Sequence, residues 1–250
     1  MLTIPSDDPM AVAIVAAIRG GDVESLRRQL VENPALATAR IGAASGAVCT
    51  DQRSLLHVAT DWPGHFPNAG ATVRALIAAG ADVNAPFEGR HRETPLHWAA
   101  SSDDVDALDA LLDSGAHIEA PGSVIGGGTA LADAVAFGQW NAARRLLERG
   151  ARTTLWQEAA LGLMDRVETR FAGSAPPAPE EITNAFWCAC HGGQRRSAEF
   201  LLDRGADLNW VGHNKLTPLD VAQKSGAGAL AEWLRDRGAR PGRDGPASRD

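Results

Sequence analysis

The chain has 250 residues, 44% of them hydrophobic, with seven tryptophans, no tyrosine and a formal net charge of −7. That charge excludes a nucleic-acid backbone or an anionic membrane surface as the default partner. The three cysteines, Cys49, Cys188 and Cys190, are odd in number and lack framework spacing, which reads as reduced thiols of a cytoplasmic protein; no stretch reaches the apolar length of a membrane span, and no basic-then-apolar leader opens the chain.

Residues 1–7 read as a short lead-in. Pro9 to Arg19 and Val23 to Glu32 form a first helix pair around Gly20-Gly21-Asp22 (unit 8–40), Pro34 stops its second helix, and residues 37–50 form a connecting loop. A second pair (51–86) carries Trp62-Pro-Gly-His-Phe-Pro67 between its helices, a stiff non-helical stretch. The third (87–121) has the clearest signals. Thr94 is an N-cap and Pro95 takes the first helical position, where its missing N–H costs nothing. Asp103 and Asp104 sit at the start of a second helix, Val105, Leu108, Leu111 and Leu112 keep helical spacing, and Gly115 ends it. The fourth (122–152) is entered through Gly126-Gly127-Gly128. A shortened pair follows at 153–173 with Gly162 at its turn, then a disordered linker from Ala172 to Pro179. Units 181–212 and 213–240 complete the array, the last with a more polar outer surface, and 241–250 read as a disordered tail.

A helix pair of this size cannot bury its faces alone, so copies are required. Gly-Ala closes a helix at Gly80, Gly115, Gly150, Gly205 and Gly238, at spacings of 35, 35, 55 and 33 residues by subtraction. Start signals recur as Ser54-Leu-Leu-His57, Thr94-Pro-Leu-His97, Thr129-Ala-Leu-Ala132, Asn184-Ala-Phe-Trp187 and Thr217-Pro-Leu-Asp220. The distance from cap to closing glycine is 21 in four copies and 26 in the copy from Ser54, which therefore carries a five-residue insertion.

Thr94-Pro-Leu-His-Trp-Ala-Ala100, with the endings Gly80-Ala-Asp-Val-Asn-Ala85 and Gly205-Ala-Asp-Leu-Asn209, resembles the ankyrin-repeat family over roughly residues 8–240. The resemblance implies an all-α solenoid of stacked helix–turn–helix units, about seven including a truncated fifth, with projecting β-turn loops and a concave groove. It also implies which residues face that groove: Asp61 and Trp62, Ser101 and Ser102, Ala136 and Phe137, His191 and Gly192, Lys224 and Ser225. On the family's apolar row one turn earlier Asp133 is a departure, and the family's histidine row reads His57, His97, Ala132, Trp156, Trp187 and Asp220. With His65, the middle of the groove would collect Asp61, Trp62, Trp98, Asp133, Trp156, Trp187 and His191. His57 and His97 are expected to tie neighbouring loops together by hydrogen bonds. Trp156 and Trp187 either pack around the shortened unit or stack on a ligand. Asp133 is either bonded structurally or a working carboxylate.

Two functions follow. The first is a monomeric binding module that recognises another protein through Trp62, Trp98, Ser101, Ser102, Phe137, Trp156 and Trp187. The alternative is an unusual enzyme or small-molecule binder with a tryptophan-lined pocket. In it Asp61, Asp133, His65 and His191 would act as acid and base in a cyclisation, isomerisation or hydrolysis. No cofactor or metal is implied. On one helix Cys188 and Cys190 point to nearly opposite sides, and Gly126-Gly127-Gly128 lacks a phosphate-loop lysine.

Overall fold

Local signals decide where each helix starts and stops. The computed structural model describes residues 2–45, 47, 51–173 and 175–242. The chain divides into two compact units, Met1–Arg152 and Thr153–Asp250. Cys49, Ser174 and most of the 241–250 tail lie outside the described residues.

The first unit holds four helix pairs: α1 (Pro9–Gly20) with α2 (Val23–Glu32), α3 (Leu55–Ala59) with α4 (Ala69–Ala78), α5 (Pro95–Ser101) with α6 (Val105–Asp113), and α7 (Ala130–Ala136) with α8 (Trp140–Glu148). First helices stack on first helices (α1 on α3, α3 on α5, α5 on α7) and second on second (α2 on α4, α4 on α6, α6 on α8). In the second unit α9 (Leu155–Ala160) pairs with α10 (Met164–Ala172), α11 (Pro179–His191) with α12 (Arg195–Leu202), and α13 (Pro218–Lys224) with α14 (Gly228–Asp236). There α9, α11 and α13 stack in turn. This is a solenoid arrangement in each unit. Its seams are lined by small residues such as Ala99, Ala107, Ala110, Ala134 and Ala142, and filled by Leu56, Leu76, Leu96, Leu108, Leu111, Leu131 and Leu146, all fully buried. Each buried leucine is worth about 1.5–3 kcal/mol of transfer free energy.

The Gly-Ala signal has one structural meaning throughout. At Gly115 (φ 91°) the glycine N–H donates to Leu112 O, and Ala116 N–H donates to Leu111 O at 3.0 Å. That is the paired bond of a Schellman motif, whose left-handed residue glycine supplies without a Cβ clash. The same bonds close α4 (Ala81 N to Leu76 O), α8 (Ala151 N to Leu146 O), α12 (Ala206 N to Leu201 O) and α14 (Ala239 N to Leu234 O).

Three expectations are corrected. Residues 1–7 and 37–50 are not simply lead-in and loop. Strands β1 (Thr3–Pro5), β2 (Arg40–Gly42) and β3 (Arg53–Ser54) form a small sheet, β1 parallel and β3 antiparallel to β2, because Ile4 and Ile41 find a buried place there. A 3-10 turn, Pro34–Thr38, leads into it. Asn184 is not a cap. Helix α11 begins at Pro179, where proline at the first position and Glu180 and Glu181 in the first turn form an earlier start. Trp156 does not occupy the histidine position of its repeat. Thr154 is the cap, and Gln157 takes that place, accepting the Thr154 N–H at 2.8 Å.

Candidate interaction site

The 62–67 insertion is held from both sides. Asn68 Nδ2 donates to Gly21 O at 2.9 Å, and Pro67 presses on Gly21, where any side chain would collide with its carbonyl. On the other side His65 N–H donates to Asp104 Oδ2 at 2.8 Å, and a Cβ on Gly64 (φ +74°) would lie 2.7 Å from Ser102 Cβ. Asp104 also caps α6 by accepting from Ala107 N. Asp61 enters two ion pairs, with Arg19 at 3.1 Å and Arg53 at 2.8 Å. The segment is therefore clamped onto the turns of its two neighbours. It carries Trp62 at 78% exposure, joined to Pro63 by a cis peptide bond, with the His65 side chain also exposed.

The other predicted positions of this unit are less open. Ser102 is buried, Ser101 Oγ donates to His97 O, and Phe137 is 48% exposed. Trp98 is half-buried. Its indole N–H donates to Glu93 Oε2 at 3.2 Å, and its ring lies 4.8 Å from His57 and 5.4 Å from Phe87, centroid to centroid.

The histidines work as joints. His97 Nδ1 accepts the Thr94 N–H at 3.1 Å, which leaves Nε2–H to reach Gly128 O at 3.4 Å. His57 pairs with Ser54 Oγ at 2.8 Å and with Glu93 O at 3.0 Å. Each bridges to the carbonyl just before the next repeat's cap. Burial pushes the His57 imidazole down to about 3 and lowers His97 as well, so both bridges use the neutral ring.

Asp133 is fully buried. Ser123 Oγ donates to its Oδ1, while its Oδ2 meets no N–H or hydroxyl. The Glu93 carboxyl interacts with it electrostatically. Burial first, and then the Glu93 charge, raise Asp133 to about 7; burial raises Glu93 too. The pair favours holding a proton, since like charges in a buried place resist ionising together. Asp61, His65 and Asp133 thus each have their own partners rather than one another.

In the second unit Trp187 is buried. Its indole N–H donates to Leu216 O at 2.9 Å, and its ring is stacked on His191 at 5.7 Å. Leu216 immediately precedes the cap Thr217, so the indole reaches the same carbonyl position that His57 and His97 reach. Asp220 does the local half of the histidine's work, accepting from Thr217 N at 2.9 Å. Trp156 is half-buried on α9. Cys188 and Cys190 are buried thiols, and burial pushes Cys188 up to about 12.

Sequence reasoning passed over two groups. Glu93 and Ser123 became partners of Asp133 only through packing. Arg90, His91 and Arg92, with His117, line a cleft between successive projecting loops. The run Arg-His-Arg between one closing glycine and the next cap was the available signal for these. Among the described residues no helix is long and apolar enough to cross a membrane.

Residues 56–155 match the family model described as ankyrin repeats, in three copies. Among solved structures, the human ASB11 ankyrin repeat domain is similar with a TM-score of 0.51 at 20% identity, covering 91% of this chain and 98% of that one. At that identity the likeness is one of fold. No curated protein matches the chain.

Proposed function

This chain carries ankyrin repeats, and from that premise we propose that it is a protein-interaction module whose partner is gripped through the insertion and the adjacent first-helix face. Ankyrin repeats generally serve protein–protein interaction; the part specific to this chain is Trp62. A tryptophan at 78% exposure offers a large apolar face that a partner can bury. Here it stands on a segment fixed by Asp61, His65 and Asn68, so little conformational entropy is lost when a partner closes over it. Rigid, exposed aromatic anchors are what binding hot spots are made of. Phe137, at 48% exposure, adds apolar surface in the same unit.

Immobilised wild type and Trp62→Ala test the proposal, with recovered proteins re-measured as purified pairs. A partner bound by the wild type and weakened at least tenfold by Trp62→Ala, with an unchanged melting temperature, is the expected result. A metabolite that raises the melting temperature of the wild type but not of Asp133→Asn would replace this reading with the small-molecule one.

A further inference from the structure

The loops before and after the third helix pair line a cleft of about 750 Å3. One wall carries Arg90, His91 and Arg92, the other His117, and Pro121 and Val124 supply apolar surface. Among the described residues no carboxylate lines it. In a chain of net charge −7 this is a local reversal of sign. The acids of the same loops are engaged elsewhere: Glu88 with Arg40 at 3.1 Å, Glu119 with Arg152 at 3.4 Å, Asp82 with the Asn84 N–H, and Glu93 with Trp98 and Asp133. Arg90 and Arg92 enter no ion pair among the described residues, and both are exposed.

The walls are also fixed before any ligand arrives. Asn84 joins them, accepting from His117 N–H at 2.8 Å and donating to Gly115 O at 3.3 Å. Phe87 N–H donates to Glu93 O at 2.7 Å, and Gly122 N–H to Gly127 O at 3.1 Å. The second wall is tied to the core through Ser123 and Asp133 and through His97 and Gly128. The N–H groups of Gly126, Gly127 and Gly128 are spent on Val124, Ser123 and Ile125 carbonyls, so the charge in the cleft comes from side chains, not from a backbone anion nest.

We propose that this cleft docks an extended, acidic segment of a protein partner, its carboxylates on Arg90 and Arg92 and an apolar side chain against Pro121 and Val124. Guanidinium forks match carboxylates bidentately. The surrounding negative charge repels long polyanions, which disfavours nucleic acid. The inference rests on the protein-binding reading but not on Trp62, so the two fail separately.

The probe is a fluorescein-labelled peptide of alternating Glu and Leu, measured by anisotropy, with a Gln-Leu peptide as its neutral counterpart. The Glu-Leu peptide is expected to bind at least tenfold tighter than the Gln-Leu peptide, and to weaken as salt rises. Arg90→Glu/Arg92→Glu is expected to lose it at least tenfold. Arg27→Glu/Arg74→Glu makes the same charge change on exposed arginines of the second-helix face that enter no ion pair among the described residues, and keeps it, as does Trp62→Ala. Circular dichroism confirms that all variants fold. No binding, equal binding of the two peptides, equal loss in both double variants, or retention in Arg90→Glu/Arg92→Glu would each overturn the proposal. So would displacement by inorganic phosphate, which would show a small-anion site, or by oligouridylate, which would show a nucleic-acid site.

Discussion

The two units make the same joint with different side chains. In the first, His57 and His97 reach the carbonyl that precedes the next repeat's cap, at Glu93 and Gly128. In the second, Trp187 reaches the corresponding carbonyl of Leu216. The imidazole does two jobs, because His97 also accepts the cap N–H of its own repeat. The indole has one N–H and no acceptor, so it can only bridge, and in the following repeat Asp220 does the capping alone. An imidazole can titrate and an indole cannot. The first unit thus joins its repeats through groups that respond to pH, with the buried Asp133 beside them, and the second joins α11 to the next loop through one that does not.

Breaking the indole joint should have the largest effect. Trp187→Ala removes a buried aromatic and is expected to cost about 3–5 kcal/mol. Trp187→Phe keeps most of the ring but removes one of the two N–H donors to Leu216 O, which still accepts from Gly212 N–H, at a cost of about 0.5–1.5 kcal/mol. Urea unfolding followed on both variants checks this. If Phe costs nothing, the indole N–H is not the joint and the comparison fails.

The pH response of the first unit is sharper still as a test, because two of its groups oppose each other. His57 falls from 6.5 to about 3 on folding, so its contribution to stability is present above pH 6.5 and lost as pH falls toward 3. Asp133 rises from 3.8 to about 7, so its contribution is present below pH 3.8 and lost as pH rises through 7. Between these limits the two slopes cancel. Asp133→Asn should therefore gain on the wild type by about 1.4 kcal/mol per pH unit as pH rises from 4 to 7. His57→Gln should gain relative to the wild type by a similar slope as pH falls from 6.5 toward 4, starting from a lower stability because a buried joint is lost. Denaturant midpoints across pH 4 to 8 read both. Parallel curves for Asp133→Asn and wild type would mean that Asp133 is already ionised in the folded protein.

The smallest structural effect belongs to the most exposed residue. Trp62→Ala should change unfolding free energy by less than about 0.5 kcal/mol, since it buries little. A larger loss would show that the ring supports the clamp rather than projecting from it.

Much of the fold was legible because its signals are local. Thr94-Pro-Leu-His97 starts a helix wherever it stands, and Gly115-Ala116 ends one through bonds to Leu112 and Leu111. Reading failed where two local signals competed or where spacing was carried over mechanically. Asn184 sat the right distance from Gly205, but Pro179 starts the helix earlier. Trp156 lies one residue before the position that bonds back to the cap, because Thr154 and Gln157 form that box without a proline. The departures themselves, Asp133, the Trp62 insertion and Trp187, were visible as departures. Their partners were not, since Glu93, Gly21 and Leu216 are chosen by packing across repeats and Ser123 by the fold of the loop that enters the fourth.

The sequence by itself determined the helix pairs, their caps and their closing turns, because each depends on bonds spanning only a few residues. Tertiary structure alone decided which odd residues are buried and which are offered to a partner. Asp61 is consumed by Arg19 and Arg53, and Asp133 by Ser123 and Glu93, while Trp62, Arg90 and Arg92 are left facing solvent. Charge and aromaticity are properties of a residue, but whether they are already satisfied depends on which neighbours the stacked repeats bring within hydrogen-bonding distance.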